Sequence, residues 1–239
     1  MNQQKNTNPK KTNNLCLRCG TCCLKGGPAL HQADYILIKN AQIKRSHLFS
    51  ILKGELAYMP NLESDSSSNS LLCLTEQELI KIKPNPQKTL QYPWACMFLT
   101  QEKQSKTTGC KLHPNHPEEC KLLFCQNTKQ ILKAYQINRL TRAELSTPDE
   151  QALQAAHSSG TNWTQLGTEL ATYFINQQNN FIEINKLPKK MVKELEESAN
   201  FDNAFRSIVV ERKVLKQDEL DFHFGRNITS ILKQFGIYL

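Results

Sequence analysis

No run of apolar residues in this chain approaches the roughly 18 that a membrane-spanning helix needs, so a soluble protein is expected. The opening stretch MNQQKNTNPKKTNN has neither an apolar segment nor a small-residue cleavage site. It is therefore not read as a secretory signal, and the cytosol is the expected compartment. A glycine-rich phosphate loop, a nucleophile elbow and an HExxH motif are all missing, which removes three common enzymatic signatures. Asp221-Phe222-His223-Phe224-Gly225 lacks the glycine-rich and catalytic-loop companions of a kinase, and the sequons at Asn162 and Asn227 have no use in a cytosolic chain. Cysteine disappears altogether after Cys125.

Up to that point cysteine is abundant. CLRCGTCC, residues 16–23, holds Cys16, Cys19, Cys22 and Cys23, while Cys96, Cys110, Cys120 and Cys125 form a second group within ACMFL and GCKLHPNHPEECKLLFC. Only Cys73 stands apart, and within LLCL it reads as a small buried hydrophobe. In a reducing compartment closely spaced thiols are metal ligands or redox groups rather than disulfides, and an odd count of nine points the same way. With 239 residues the chain can bury a sizeable core, so metal is not needed merely to rescue a tiny fold.

Cys16, Cys19 and Cys22 follow C-x2-C-x2-C, the spacing by which a loop wraps three corners of an iron–sulfur cube. A C-x2-C pair suits tetrahedral zinc equally well, with Cys120 and Cys125 as the matching pair, and both metals favour thiolates. The expected cofactor is thus zinc or iron, the latter including a 4Fe-4S cluster. Cys23 directly follows Cys22, and in an extended chain neighbouring side chains point to opposite sides. One sulfur then faces each of two sites, or one polynuclear centre shares the loop.

The formal net charge of +8 counts every thiol as neutral. Four thiolates around Zn²⁺ or a 4Fe-4S core carry about −2, so two such sites would bring the excess to about +4. Lys and Arg are also scattered rather than blocked, which leaves a nucleic-acid partner open without favouring it. No signature identifies a protein partner or substrate.

The expected fold class is α+β: a cysteine-rich metal-binding module of short strands, loops and helices over residues 15–126, then a mainly helical region, 127–239, packed on it. Residues 1–14, nearly devoid of apolar side chains, read as a disordered tail, and NLESDSSSNS, residues 61–70, as an exposed loop. A short helix is expected over His31 to Asn40, and LFSILKGELAYM suggests two strands turning at Lys53-Gly54, with a helix through Leu48 to Leu56 as the competitor. ELIKIK reads as a strand stopped by PNPQ, and ACMFL and CKLH as a hairpin that holds Cys96 and Cys110 on neighbouring strands. Pro117 suits the first position of a helix bearing Cys120. Thr147-Pro148-Asp149-Glu150 is a capping box opening a helix that ends near Gly160. The spacing of Trp163, Leu166, Leu170, Tyr173 and Phe174 predicts a helix with an apolar core stripe. A short helix from Pro188, a separate one around Phe205 to Val209, and a C-terminal one through Ile228 to Phe235 complete the half.

Residue by residue, CLRCGTCC, the following GGPALH, ACMFL, GCKLH, and HPEEC with Cys125 beyond it resemble the YkgJ-like cysteine-cluster family, a group with a CxxCxxCC signature described as zinc- or iron-chelating. The likeness covers roughly residues 15–126. It implies a metal site with Cys16, Cys19, Cys22, Cys23, Cys96, Cys110, Cys120 and Cys125 as thiolate ligands, and no settled activity. The family usually carries an aromatic residue after the GC segment and an Arg-Pro pair before the next cysteine, whereas His113 and His116 stand at about those places here; His116 reads first as a helix cap or a solvated residue, with replacement of a sulfur ligand by His113 or His116 as the alternative. The cluster motif is also similar to that of flagellin lysine methylases, which are associated with an iron–sulfur cluster, although no scaffold of that size surrounds it. Two functions are therefore expected: a metal-binding protein with closed sites, or an iron–sulfur enzyme that carries out redox or radical modification of a protein or peptide. Because the cysteine groups lie about 70 residues apart, metal is expected to staple the module, and chelation to loosen it.

Overall fold

The computed structural model describes residues 19–60, 70–85, 92–101, 108–123, 129–177 and 183–239, and shows a mixed α and β chain whose C-terminal half is helical. The tail at 1–14, most of the polar stretch 61–70, and Cys16 and Cys125 lie outside the described residues. Four strands, β1 (Leu48–Ile51), β2 (Leu56–Pro60), β3 (Ser70–Leu74) and β4 (Leu79–Ile82), form two antiparallel pairs, β1 with β4 and β2 with β3. The pairs are nested. Leu48 faces Ile82 and Ile51 faces Leu79, then the register resumes at Leu56 opposite Leu74.

The hairpin expected at Lys53-Gly54 does not form: β1 and β2 are successive parts of one arm, and the helix over Leu48 to Leu56 does not form either. Gly54 does take a positive φ of 82°, but its N–H donates to the Thr75 carbonyl (2.8 Å) and the Thr75 N–H to the Glu55 carbonyl (3.0 Å). These bonds bend both arms together instead of reversing one. Cys73 pairs with Ala57 in the inner ribbon. A third pair, β5 (Leu99–Gln101) and β6 (Thr108–Cys110), sets Leu99 opposite Cys110.

Short helices serve the N-terminal half: α1 (Thr21–Lys25), α2 (Tyr35–Lys39), which follows a 3₁₀ turn, and α3 (Glu118–Leu122). Then come α4 (Lys129–Ala134), α5 (Arg142–Leu145), α6 (Pro148–Thr161), α7 (Trp163–Gln177), α8 (Lys189–Glu211), α9 (Leu220–Phe224) and α10 (Ile228–Gln234). The capping box is reciprocal: Glu150 N–H donates to Thr147 Oγ1 (3.3 Å) and Thr147 N–H to the Glu150 carboxylate (2.8 Å). Asn162 ends α6 in the left-handed region, at φ 48°.

The two helices expected after Pro188 are one, of 23 residues. Its buried side includes Leu195, Ser198, Asp202, Arg206 and Val209, so polar residues interrupt the apolar stripe without interrupting the helix. They stay buried because each is paired. Ser198 donates to the Thr161 carbonyl (2.7 Å), and the Asp202 carboxylate meets His157 Nε2 (2.7 Å), Arg206 Nε (2.6 Å) and the Ile228 N–H (3.0 Å).

Packing runs across position 127. Leu56 joins Trp163, Leu170, Phe174, Leu195 and Phe235 in one core, and Phe222 joins Leu30, Leu48, Ile80, Cys96 and Phe98 in another. Ser50 Oγ donates to the Phe222 carbonyl at 2.7 Å. Asp221-Phe222-His223-Phe224-Gly225 is a core plug, with Phe222 and His223 0% exposed and Phe224 1%. Helix α7 seats on the ribbon's kink, where a Cβ at Gly167 would strike the Gly54 carbonyl oxygen. No described helix is long and apolar enough to cross a membrane.

Two outcomes follow from this packing. Gly167→Ala is expected to lower stability by roughly 1–3 kcal/mol in urea denaturation, because the kink must move to admit a methyl group. Burial, with help from Arg45 and Arg142 and against Glu150, holds the His223 ring at about 4, below its ordinary 6.5. The neutral ring is the folded form. Its contribution to stability is therefore complete above pH 6.5 and lost as pH falls toward 4, on the order of 3 kcal/mol in all. Unfolding curves across that interval should show this slope and should flatten in His223→Leu; equal slopes in both proteins would assign it to another group.

Candidate metal centre

The first thiol loop turns at Gly20, whose φ of 79° leads into α1. A side chain there would be strained and would collide with Thr108 of β6, its Cβ only 2.6 Å from Thr108 Oγ1. The loop carrying one cysteine group is thus pressed on the strand that carries Cys110 of the other. Cys22 and Cys23 lie on α1, half-buried, with their sulfurs 3.9 Å apart. The expectation that these neighbours face opposite sides fails because the segment is helical. Successive helical side chains diverge by about 100° rather than 180°, so both sulfurs can serve one side.

Cys96 is buried, and its N–H donates to the Cys23 carbonyl at 2.7 Å, joining the two cysteine groups through the backbone. It lies ahead of β5 rather than on it, in an isolated bridge with Pro84, so only Cys110 of the expected pair occupies a strand. Cys120 rides on α3, which Pro117 precedes as N-cap instead of opening as its first residue. Cys19 is exposed, with Thr21 Oγ1 3.4 Å from its sulfur. His113 and His116 pack edge to face, ring centroids 4.9 Å apart, with His113 exposed on a turn.

The thiols of Cys22, Cys23, Cys96, Cys110 and Cys120 are near enough to act on one another. Burial, then Cys96, Cys110 and Cys22, push Cys120 above the ordinary thiol range. The Cys22 sulfur, burial, and then Cys120 and Cys96 push Cys23 up. Burial, with Cys110 and Cys22, raises Cys96 to about 11. Cys19 moves the other way, lowered by hydrogen bonding to the Thr21 side chain and backbone. Burial and mutual repulsion both oppose thiolate formation, and a soft cation relieves both at once. The donor chemistry therefore fits zinc or iron–sulfur. Among the described residues no three His, Cys, Asp or Glu side chains already stand in a metal-holding arrangement.

A buried polar junction beside the thiols was not anticipated. Asp34 and Glu119 are 1% and 7% exposed, and Arg139 and His31 are buried with them. Glu119 Oε1 accepts from Arg139 Nη1 (2.6 Å) and Oε2 from the Ala29 N–H (2.7 Å). Asp34 accepts from the His31 N–H (2.9 Å) and the Glu118 N–H (2.8 Å). His31 Nε2 lies 3.0 Å from Arg139 Nη1, and Nδ1 2.9 Å from the Ile137 carbonyl. Burial pushes the Glu119 carboxyl up, but His31, Arg139 and Lys81 outweigh it and hold it at about 2. The one signal in the sequence was the acidic pair directly before Cys120; nothing in the spacing pointed to Arg139.

Comparison with known proteins gives no matching family model, no matching curated protein and no matching solved structure.

In the metal-free protein at neutral pH, iodoacetamide is expected to modify Cys19 well before Cys23 and Cys120, because reactivity follows thiolate fraction and access. Peptide mass mapping over a time course reads the order, and Cys120 reacting as fast as Cys19 would contradict it.

Proposed function

We propose that the protein binds metal, as zinc or an iron–sulfur cluster, in one thiolate-rich centre drawn from both cysteine groups. The ligand set is Cys16, Cys19, Cys22, Cys23, Cys96, Cys110, Cys120 and Cys125, of which Cys16 and Cys125 enter from sequence alone. The observation that carries this reading is the joining of the two cysteine groups: the Cys96 N–H donates to the Cys23 carbonyl at 2.7 Å, and Gly20 of the first thiol loop is pressed on Thr108 of the strand that bears Cys110. Sulfurs gathered that closely repel as thiolates unless a cation sits among them. The closeness of Cys22 to Cys23, 3.9 Å between sulfurs, favours a single centre over two separated ones. A reducing compartment such as the cytosol suits thiols kept for metal. Kinship with the YkgJ-like cysteine-cluster proteins belongs to the same proposal and rests on CLRCGTCC and the cysteine segments that follow it.

The test is to purify the protein without oxygen and measure its optical spectrum with its zinc, iron and acid-labile sulfide content. A broad visible charge-transfer band with iron and sulfide identifies a cluster, and a colourless protein with stoichiometric zinc identifies the closed site. Protein that carries neither, and that takes up neither when both are supplied, would overturn the proposal.

A further inference from the structure

Helix α3, which carries Cys120, has five residues and no side-chain cap of its own. So short a helix has no intrinsic stability in water, and its position must be imposed from outside. What imposes it is the buried junction. Asp34 caps α3 from another part of the chain by accepting the Glu118 N–H, 84 residues away in sequence. Glu119, the residue before Cys120, reaches back to the Ala29 N–H, 90 residues away. Ala29 and Asp34 belong to the segment that continues directly from α1, where Cys22 and Cys23 sit. Arg139 secures the Glu119 carboxylate from a third segment, with its Cζ 4.6 Å from the Tyr135 ring centroid.

We infer that Asp34, Glu119 and Arg139 are positioning residues that bring the two thiol groups together before any metal arrives. The inference rests on the reading of those thiols as one metal centre, and it departs from the expectation that metal itself staples the chain. The junction consists of hydrogen bonds and an ion pair within the protein, so it persists when metal is chelated. Its effect on a ligand would resemble that of the outer-shell groups of other metal sites, whose loss costs roughly 10–100-fold in affinity.

The experiment compares wild type with Glu119→Gln, Arg139→Met and Arg139→Lys, using Cd(II) as the probe. Affinity is measured by chelator competition, and site structure by the ultraviolet thiolate-to-cadmium band. Asp202→Asn serves as the control, since it breaks a buried His–Asp–Arg cluster of similar kind within the helical half. Expected are at least about tenfold weaker Cd(II) binding and an altered band in Glu119→Gln and Arg139→Met, partial recovery in Arg139→Lys, and binding within about twofold of wild type in Asp202→Asn. Unchanged affinity and band in Arg139→Met, or equal weakening in the Asp202→Asn control, would overturn the inference. A wild type that binds no Cd(II) counts against the metal reading instead. Positioning is then judged without metal, by bridging Cys22 or Cys23 to Cys120 with dibromobimane and mapping the linked peptides. A yield at least about tenfold lower in Arg139→Met, but not in the control, supports it, and equal yields reject it.

Discussion

Thiols gathered in one place repel one another as soon as they lose their protons, so their closeness has to be enforced by something other than the thiols. Here the enforcing interaction is the pair of buried carboxylates, Asp34 and Glu119, each accepting a backbone N–H from a remote segment. Buried carboxylates persist only when well partnered, and Glu119 has Arg139, His31 and Lys81 about it. The junction thus works in two directions: Arg139 and Lys81 keep the carboxylate ionised, and the ionised carboxylate holds the backbone that bears Cys120.

The rest of the fold gives that junction a rigid base. Cys96 and Phe98 share a core with Leu30, Leu48, Ile80 and Phe222, so the wall beneath the thiols includes a residue from near the C-terminus. Phe222 is held in turn by α9, which Arg142 grips at the His223 carbonyl and Arg206 at the carbonyl of the C-cap Gly225 (2.9 Å). The helical half therefore supports the cysteine-bearing half through shared apolar packing and through cations on backbone carbonyls, and α7 fixes the bend of the ribbon from the other side.

What could be read in the sequence was local. The cysteine groups, the capping box at Thr147, the stripe on α7 and the strand at Leu79 to Ile82 each depend on residues a few positions apart, where spacing and propensity decide. Strand partnership was not legible, because Gly54 permits a hairpin and a kink equally, and the choice lies with Thr75, some 20 residues on. The continuity of α8 was hidden because Asp202 and Arg206 look like solvent-facing residues until His157 and the Ile228 N–H are placed beside them. The orientation of Cys22 and Cys23 turned on whether the loop is extended or helical, and α1 is too short for its periodicity to show. Arg139 and Glu119 meet across the chain with no motif to announce them.

The claim on which the functional reading depends is that sulfur from both cysteine groups surrounds one metal centre. X-ray absorption at the metal edge of protein purified without oxygen tests it most directly. A first shell of sulfur at about 2.3 Å, which loses sulfur both in Cys22→Ser and in Cys120→Ser, is the predicted result. A shell dominated by nitrogen or oxygen, or one that either substitution leaves intact, would contradict it.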